Sequence, residues 1–118
     1  MTTINIFQNA KESEKFADGS IIFSKGDPGD CMFGVVEGEV EIVLNDKVID
    51  TLSSGAILGE MGLIDHSPRA ASARVKGSAK LVRIDERRFN FLVQQTPFFA
   101  LQVMRIITAR LRKLMAAE

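Results

Sequence analysis

With one cysteine among 118 residues, Cys31, no intrachain disulfide can form, a usage that fits a reducing compartment. One histidine, His66, beside that one cysteine leaves too few ligands for a structural zinc site, so no metal is expected. The same scarcity argues against catalysis. His66 neighbours Ser67, yet adjacency in sequence is not the geometry of a nucleophile and its base, and no catalytic residue is assigned. Long hydrophobic runs are also missing: none approaches the ~20 residues of a membrane span. The start, Met1 to Phe7, lacks the basic beginning and long apolar stretch of a signal peptide, so a cytoplasmic location is expected. Neither charge sign dominates, because 15 basic and 15 acidic residues cancel, and nothing in that balance calls for nucleic acid or an anionic membrane. Arg105, Arg110, Arg112 and Lys113 do gather near the C-terminus, where they read as cations in the last turns of a helix rather than a DNA-binding patch. Repeats and low-complexity tracts are absent.

What is present is ordinary for a globular protein: 46% apolar and 25% charged residues, in a length suited to one domain over 1–118. Residues 4–17 suit a short helical or irregular N-terminal segment. From Gly19 the pattern turns to short strands: Ile21 to Phe23, a turn over Lys25 to Asp30, then Cys31 to Val36. Gly38 is expected to break that strand, after which Val40, Ile42 and Leu44 alternate as on a half-buried surface. Asn45-Asp46 turns the chain into Lys47 to Leu52, and Ser53 to Gly55 into Ala56 to Leu58. A strand over Ala70 to Val75, a turn at Lys76 to Ser78 and a strand over Lys80 to Ile84 follow. Strands so short and so regularly punctuated predict an all-β sandwich or barrel over about 19–84.

At Asp85 the period changes. Asp85 is a good N-cap, and Phe89, Leu92 and Val93 share one helix face. Thr96-Pro97 restarts a helix over 98–115, within a helical region of about 86–116. Phe98, Leu101, Met104, Ile107, Leu111, Leu114 and Met115 keep helical spacing there. Phe99, Val103 and Ile106 lie off that stripe, and this extra apolar face is expected to meet a second copy or another protein.

Between strands and helices lies Leu58 to Ser72, the stretch able to hold a ligand. Gly59 and Gly62 let backbone N–H groups approach closely, and the apolar turn after Gly59 points free N–H groups at a negative charge. Arg69 adds a forked cationic donor suited to phosphate oxygens. Glu60 would repel a phosphate, so its carboxylate fits sugar hydroxyls, with Arg69 near enough to keep it ionised. Phosphate and ribose on one loop make a nucleotide. Taken separately, Gly-Glu could be a plain turn and Pro68-Arg69 a solvated corner; at this spacing the combination is specific.

The stretch resembles the phosphate-binding cassette of the cyclic nucleotide-binding domain family, found in cAMP-dependent kinase regulatory subunits, catabolite-activator-type regulators and nucleotide-gated channels. The likeness covers roughly 15–115 and includes Gly26-Asp27-Pro28-Gly29-Asp30 and Val36-Glu37-Gly38-Glu39-Val40. It implies a β-roll or jelly-roll (double-stranded β-helix) sandwich, mainly β, with a short cassette helix and C-terminal helices. By the resemblance, Glu60 and the Gly59 backbone take the ribose 2′-hydroxyl, and Arg69 takes the cyclic phosphate with the N–H groups of Gly62 and Ala70. Met61 and Ala71 complete that set. Candidates for the base pocket and lid are Ile42, Ile49, Leu52, Leu58, Arg110 and Leu114, the strand residues reading equally well as ordinary core.

The expected ligand is cAMP, with cGMP second, because guanine-selective members often carry Thr where this chain has Ala70. No resident cofactor is implied. Arg110 matches a helix arginine of activator-type relatives and is a candidate partner for Glu60 in the bound state, with Arg112 a candidate for the base edge. Leu114 and Met115 stand where those relatives offer Ser or Thr to adenine, and Trp and Tyr are absent, so any lid would be apolar. The sequence shows no helix-turn-helix, catalytic or membrane part after the domain, so a stand-alone sensor signalling through its C-terminal helix is expected. The alternatives are a scaffold domain with little nucleotide affinity, or the sensor part of a longer transcription regulator.

Overall fold

The computed structural model describes residues 12–116. Its strands are β1 (Glu14–Phe16), β2 (Ile21–Phe23), β3 (Cys31–Leu44), β4 (Lys47–Leu52), β5 (Ile57–Leu58) and β6 (Ser72–Asp85). The helices are α1 (Glu60–Asp65), α2 (Glu86–Gln95) and α3 (Phe98–Ala116). All strand pairs are antiparallel, in the order β1-β6-β3-β4, with β2 also on β6 and β5 also on β3.

The spine is β3 against β6, paired from Cys31↔Asp85 to Val43↔Ser72. Both strands run on where turns were expected, at Gly38 and at Lys76 to Ser78. The physical reason lies in the register: Gly38 faces Ala79 while Glu39 faces Lys76, so the intervening residues of β6 are absorbed as a bulge that bends both strands without ending them. Gly38 has φ +90°, and a Cβ there would stand 2.1 Å from the Ser78 carbonyl oxygen, so only glycine fits. The β3–β4 turn is as expected, with Asn45 and Asp46 both at positive φ, the twist that joins a tight hairpin. Of the N-terminal segment, Glu14–Phe16 forms an edge strand on Ala79 to Leu81 rather than a helix; three residues are too few to show a period. Residues 4–11 of that segment lie outside the described residues.

Two cores result. Val35, Val40, Leu52, Ala56, Leu58, Ala73, Val75, Ala79 and Leu81 fill the roll. Met32, Ile57, Leu63, Val82, Ile84, Phe99, Val103 and Ile106 join the other face to the helices. The neighbours Leu81 and Val82 fall in different cores because side chains alternate along a strand. Asp85 caps α2 as expected, accepting from the Arg88 backbone N–H at 2.8 Å. Thr96 instead closes α2, its N–H donating to Leu92 O at 2.8 Å, and its carbonyl accepts from Phe99 N–H as α3 begins.

The helix faces are exchanged relative to expectation. Phe99, Val103 and Ile106 are the residues of α3 buried against the roll, while Phe98, Leu101, Met104, Leu111, Leu114 and Met115 are exposed. Both stripes have helical spacing; the buried one packs on the sheet and on α2, where the Phe89 ring lies 5.4 Å from that of Phe99.

Candidate functional site

β5 delivers the chain to Gly59, which adopts φ 75° and starts α1 without a side-chain cap. α1 ends at His66, also left-handed, whose N–H donates to Gly62 O at 3.0 Å. Asp65 then accepts from the Ser67 N–H at 3.0 Å and from its hydroxyl at 2.5 Å. Those bonds hold the exposed Asp65 carboxyl below its ordinary range and turn the chain toward Arg69. The Arg69 backbone is tied at both ends to the β2–β3 loop: its N–H donates to Asp27 O and its carbonyl accepts from Gly26 N–H, each at 2.8 Å.

Two charged side chains of the cassette are buried, Glu60 at 5% exposure and Arg69 at 6%. Arg69 Nη1 donates to Gly59 O at 2.9 Å and Nη2 to Cys31 O at 2.8 Å. The Phe23 ring lies beneath it, with Arg69 Cζ 4.3 Å from the ring centroid. Its Nε–H is buried and finds no hydrogen-bond partner among the described residues. Glycine makes room: a Cβ at Gly59 or Gly62 would stand 2.6 or 2.8 Å from Arg69 Nη1. A Cβ at Gly29 would stand 2.8 Å from Gly62 Cα and 2.5 Å from Ser67 O, so the β2–β3 loop lies directly on the cassette.

The cation that meets Glu60 is Arg110, and among the described residues Glu60 and Arg69 form no ion pair. Arg69, expected beside Glu60, is held instead by the carbonyls of Gly59 and Cys31. Arg110 Nη1 donates to Glu60 Oε1, and its Nη2 to Ile57 O at 2.5 Å, so α3 is fastened to both β5 and α1. Glu60 Oε2 is buried and finds no hydrogen-bond partner among the described residues. A buried unpaired acceptor and a buried unpaired donor on one cassette are costly features, of the kind a polar ligand relieves.

The remaining expected residues divide. Gly62 is buried against Arg69, Ala71 is half-buried, and Met61 and Ala70 are exposed on the cassette surface. Leu52 and Leu58 are wholly within the roll core, and Ile42 packs on that core half-buried, the alternative that strand alternation allows. Ile49 is 53% exposed on β4 and Leu114 70% exposed on α3, so neither is core. Arg112 lines a surface groove of about 330 Å³ with Thr108, Leu111 and Met115.

Sequence reasoning missed Phe23, Gly29 and the carbonyls of Cys31 and Ile57. A second glycine in Gly26-Asp27-Pro28-Gly29 was a signal of close approach; a carbonyl leaves no trace in sequence. Burial pushes the Cys31 thiol above its ordinary range against the pull of Arg83 and Arg69, so the sulfur beside Arg69 stays neutral. Among the described residues no group of His, Cys, Asp or Glu converges to hold a metal, and no helix is long and apolar enough to cross a membrane.

Residues 13–96 match the cyclic nucleotide-binding domain family, and the chain belongs to it. It is 38% identical to the cAMP-dependent protein kinase regulatory subunit of Dictyostelium discoideum, over 71% of this chain and 28% of that protein. The catabolite activator protein of Thermus thermophilus superposes with a TM-score of 0.76 at 25% identity, covering 90% of this chain and 53% of that one. The EAL enzyme Bd1971 is similar in its cAMP-bound and cGMP-bound forms, with TM-scores of 0.63 and 0.64 and 30% identity in each. Those matches cover 88% and 89% of this chain and 29% of that enzyme. The chain thus spans under a third of the length of the curated relatives it matches first. Its mainly antiparallel sheet with helices is the β-roll fold of these neighbours.

Proposed function

We propose that this chain is a non-catalytic sensor that binds a cyclic nucleotide reversibly, prefers cAMP to cGMP, and reports occupancy through α3. The observation that carries the reading is the pair of buried, half-satisfied charges: Glu60 Oε2 and Arg69 Nε, one acceptor and one donor, on a loop held by glycine backbone. An acceptor suits a ribose hydroxyl and a guanidinium suits a cyclic phosphate. Gly59, Gly62, Ala70 and Ala71 supply backbone to that contact, with Met61 at its rim. A relative solved with cAMP and with cGMP supports both as ligands, and Ala70 in place of a hydroxyl residue favours adenine. Ile49, Ile42, Arg112 and Leu114 are the candidates for the base; Leu52 and Leu58 shape the pocket from within the core.

Signalling through α3 is supported by the Arg110 link to Glu60, because a ligand that engages Glu60 acts on the residue that fastens the helix. The outward face of α3 carries Leu101, Met104, Thr108, Leu111 and Met115, spaced alternately by three and four residues like the seam of a paired helix. That face suits a protein partner or a second copy, in place of the Phe99 face. A scaffold role without nucleotide affinity is the competing reading. Calorimetry with cAMP and cGMP, followed by hydrogen exchange with and without cAMP, tests the proposal. Tighter binding of cAMP and altered protection across α3 are expected. Absence of binding would favour the scaffold; tighter cGMP would reverse the selectivity; protection confined to the cassette would remove α3 from signalling.

A further inference from the structure

Resting on the reading of the cassette as a cyclic nucleotide site, we propose that Phe23 is a positioning residue for ligand binding, its ring holding the Arg69 guanidinium in the orientation that meets the phosphate. The restraints on Arg69 are two carbonyl oxygens at its edges, glycine backbone beside Nη1 and the Phe23 ring across its face. None of them carries a negative charge. Among the described residues no carboxylate pairs with Arg69, and the Cys31 sulfur 3.5 Å from Nη2 is a neutral thiol.

That choice of neighbours has a physical effect. A carboxylate would orient the guanidinium and cancel its charge, weakening its pull on an anion. An aromatic face attracts a cation through its quadrupole and excludes water from one side while leaving the full charge in place. The carbonyls fix rotation within the guanidinium plane; the ring fixes the tilt of that plane. Phe33 on β3 packs beside the ring, with centroids 6.2 Å apart, and β3 there pairs with Leu58 just before Gly59. The ring that sets Arg69 thus packs on β3, the strand that pairs with β5 where β5 leads into the cassette.

The test is a double-mutant cycle on cAMP affinity by calorimetry, with Phe23→Leu and Phe23→Tyr made alone and together with Arg69→Ala. Phe23→Leu is expected to weaken binding about 3- to 30-fold, while Phe23→Tyr, which keeps the ring, stays within about twofold. In the Arg69→Ala background Phe23→Leu should change affinity by less than about twofold. An unchanged affinity in Phe23→Leu, or the same loss with and without Arg69, would overturn the proposal, since loss independent of Arg69 is what a merely structural role gives. Failure of the wild type to bind cAMP or cGMP would instead overturn the reading of the site. NMR of the free protein gives a second readout that survives if Phe23→Leu does not fold. The wild-type Arg69 Nε proton should be shifted upfield by the ring current, and an unshifted resonance would show that the ring does not hold it.

Discussion

The cassette and α3 are both attached to the same roll, and they are attached in opposite ways. Apart from the Phe23 ring across its face, Arg69 is set by backbone: carbonyls of Gly59 and Cys31, main-chain ties to Gly26 and Asp27, and glycines that leave no slack. α3 is set by side chains, with Phe99, Val103 and Ile106 buried at one end and Arg110 reaching Glu60 and Ile57 toward the other. Backbone restraints fix a geometry that side-chain motion cannot relax, which suits recognition. A helix held by a few side chains can change its seating without disturbing the sheet, which suits response.

The largest expected effect comes from removing the apolar anchor. Phe99 is fully buried, so Phe99→Ala should destabilise the protein by about 3–5 kcal/mol, read by denaturant unfolding. A loss below ~1 kcal/mol would mean that α3 is hardly seated at all. Next in size, Arg69→Ala should weaken cAMP binding by roughly 10- to 150-fold, the effect of losing a charged hydrogen-bond donor. Wild-type affinity in that variant would move recognition away from the cassette. Smallest, Arg110→Ala should cost about 1–2 kcal/mol and speed hydrogen exchange in the last turns of α3. It strips the cation from a buried carboxylate, but the Arg110 side chain is itself 32% exposed, which reduces the effect. Unchanged exchange there would uncouple the two regions.

The cassette was legible because its chemistry is contiguous: glycine, acid, apolar turn and arginine within one short stretch admit few other uses. The Asn45-Asp46 turn and the Asp85 cap were legible for the same reason, each being decided by its own side chains. The buried face of α3 was not, since the helix is apolar on both sides and periodicity identifies stripes without saying which one meets the sheet. β3 and β6 were read as four short strands because a glycine that bulges a strand and one that ends it look alike. Arg69 was expected near Glu60 from proximity in sequence, whereas its hydrogen bonds go to main-chain carbonyls, atoms that every residue possesses.

Three of the ties that complete the site span a long stretch of chain: Arg69 to Cys31 across 38 positions, Arg110 to Glu60 across 50 and Arg110 to Ile57 across 53. Such contacts form only after the intervening chain has been ordered, so the loop-closure cost is met first. During synthesis the roll can close once β6 has emerged, yet the ion pair of Glu60 with Arg110 waits for α3 to follow. A nascent chain halted between those two points would display the fold with its carboxylate still unmatched.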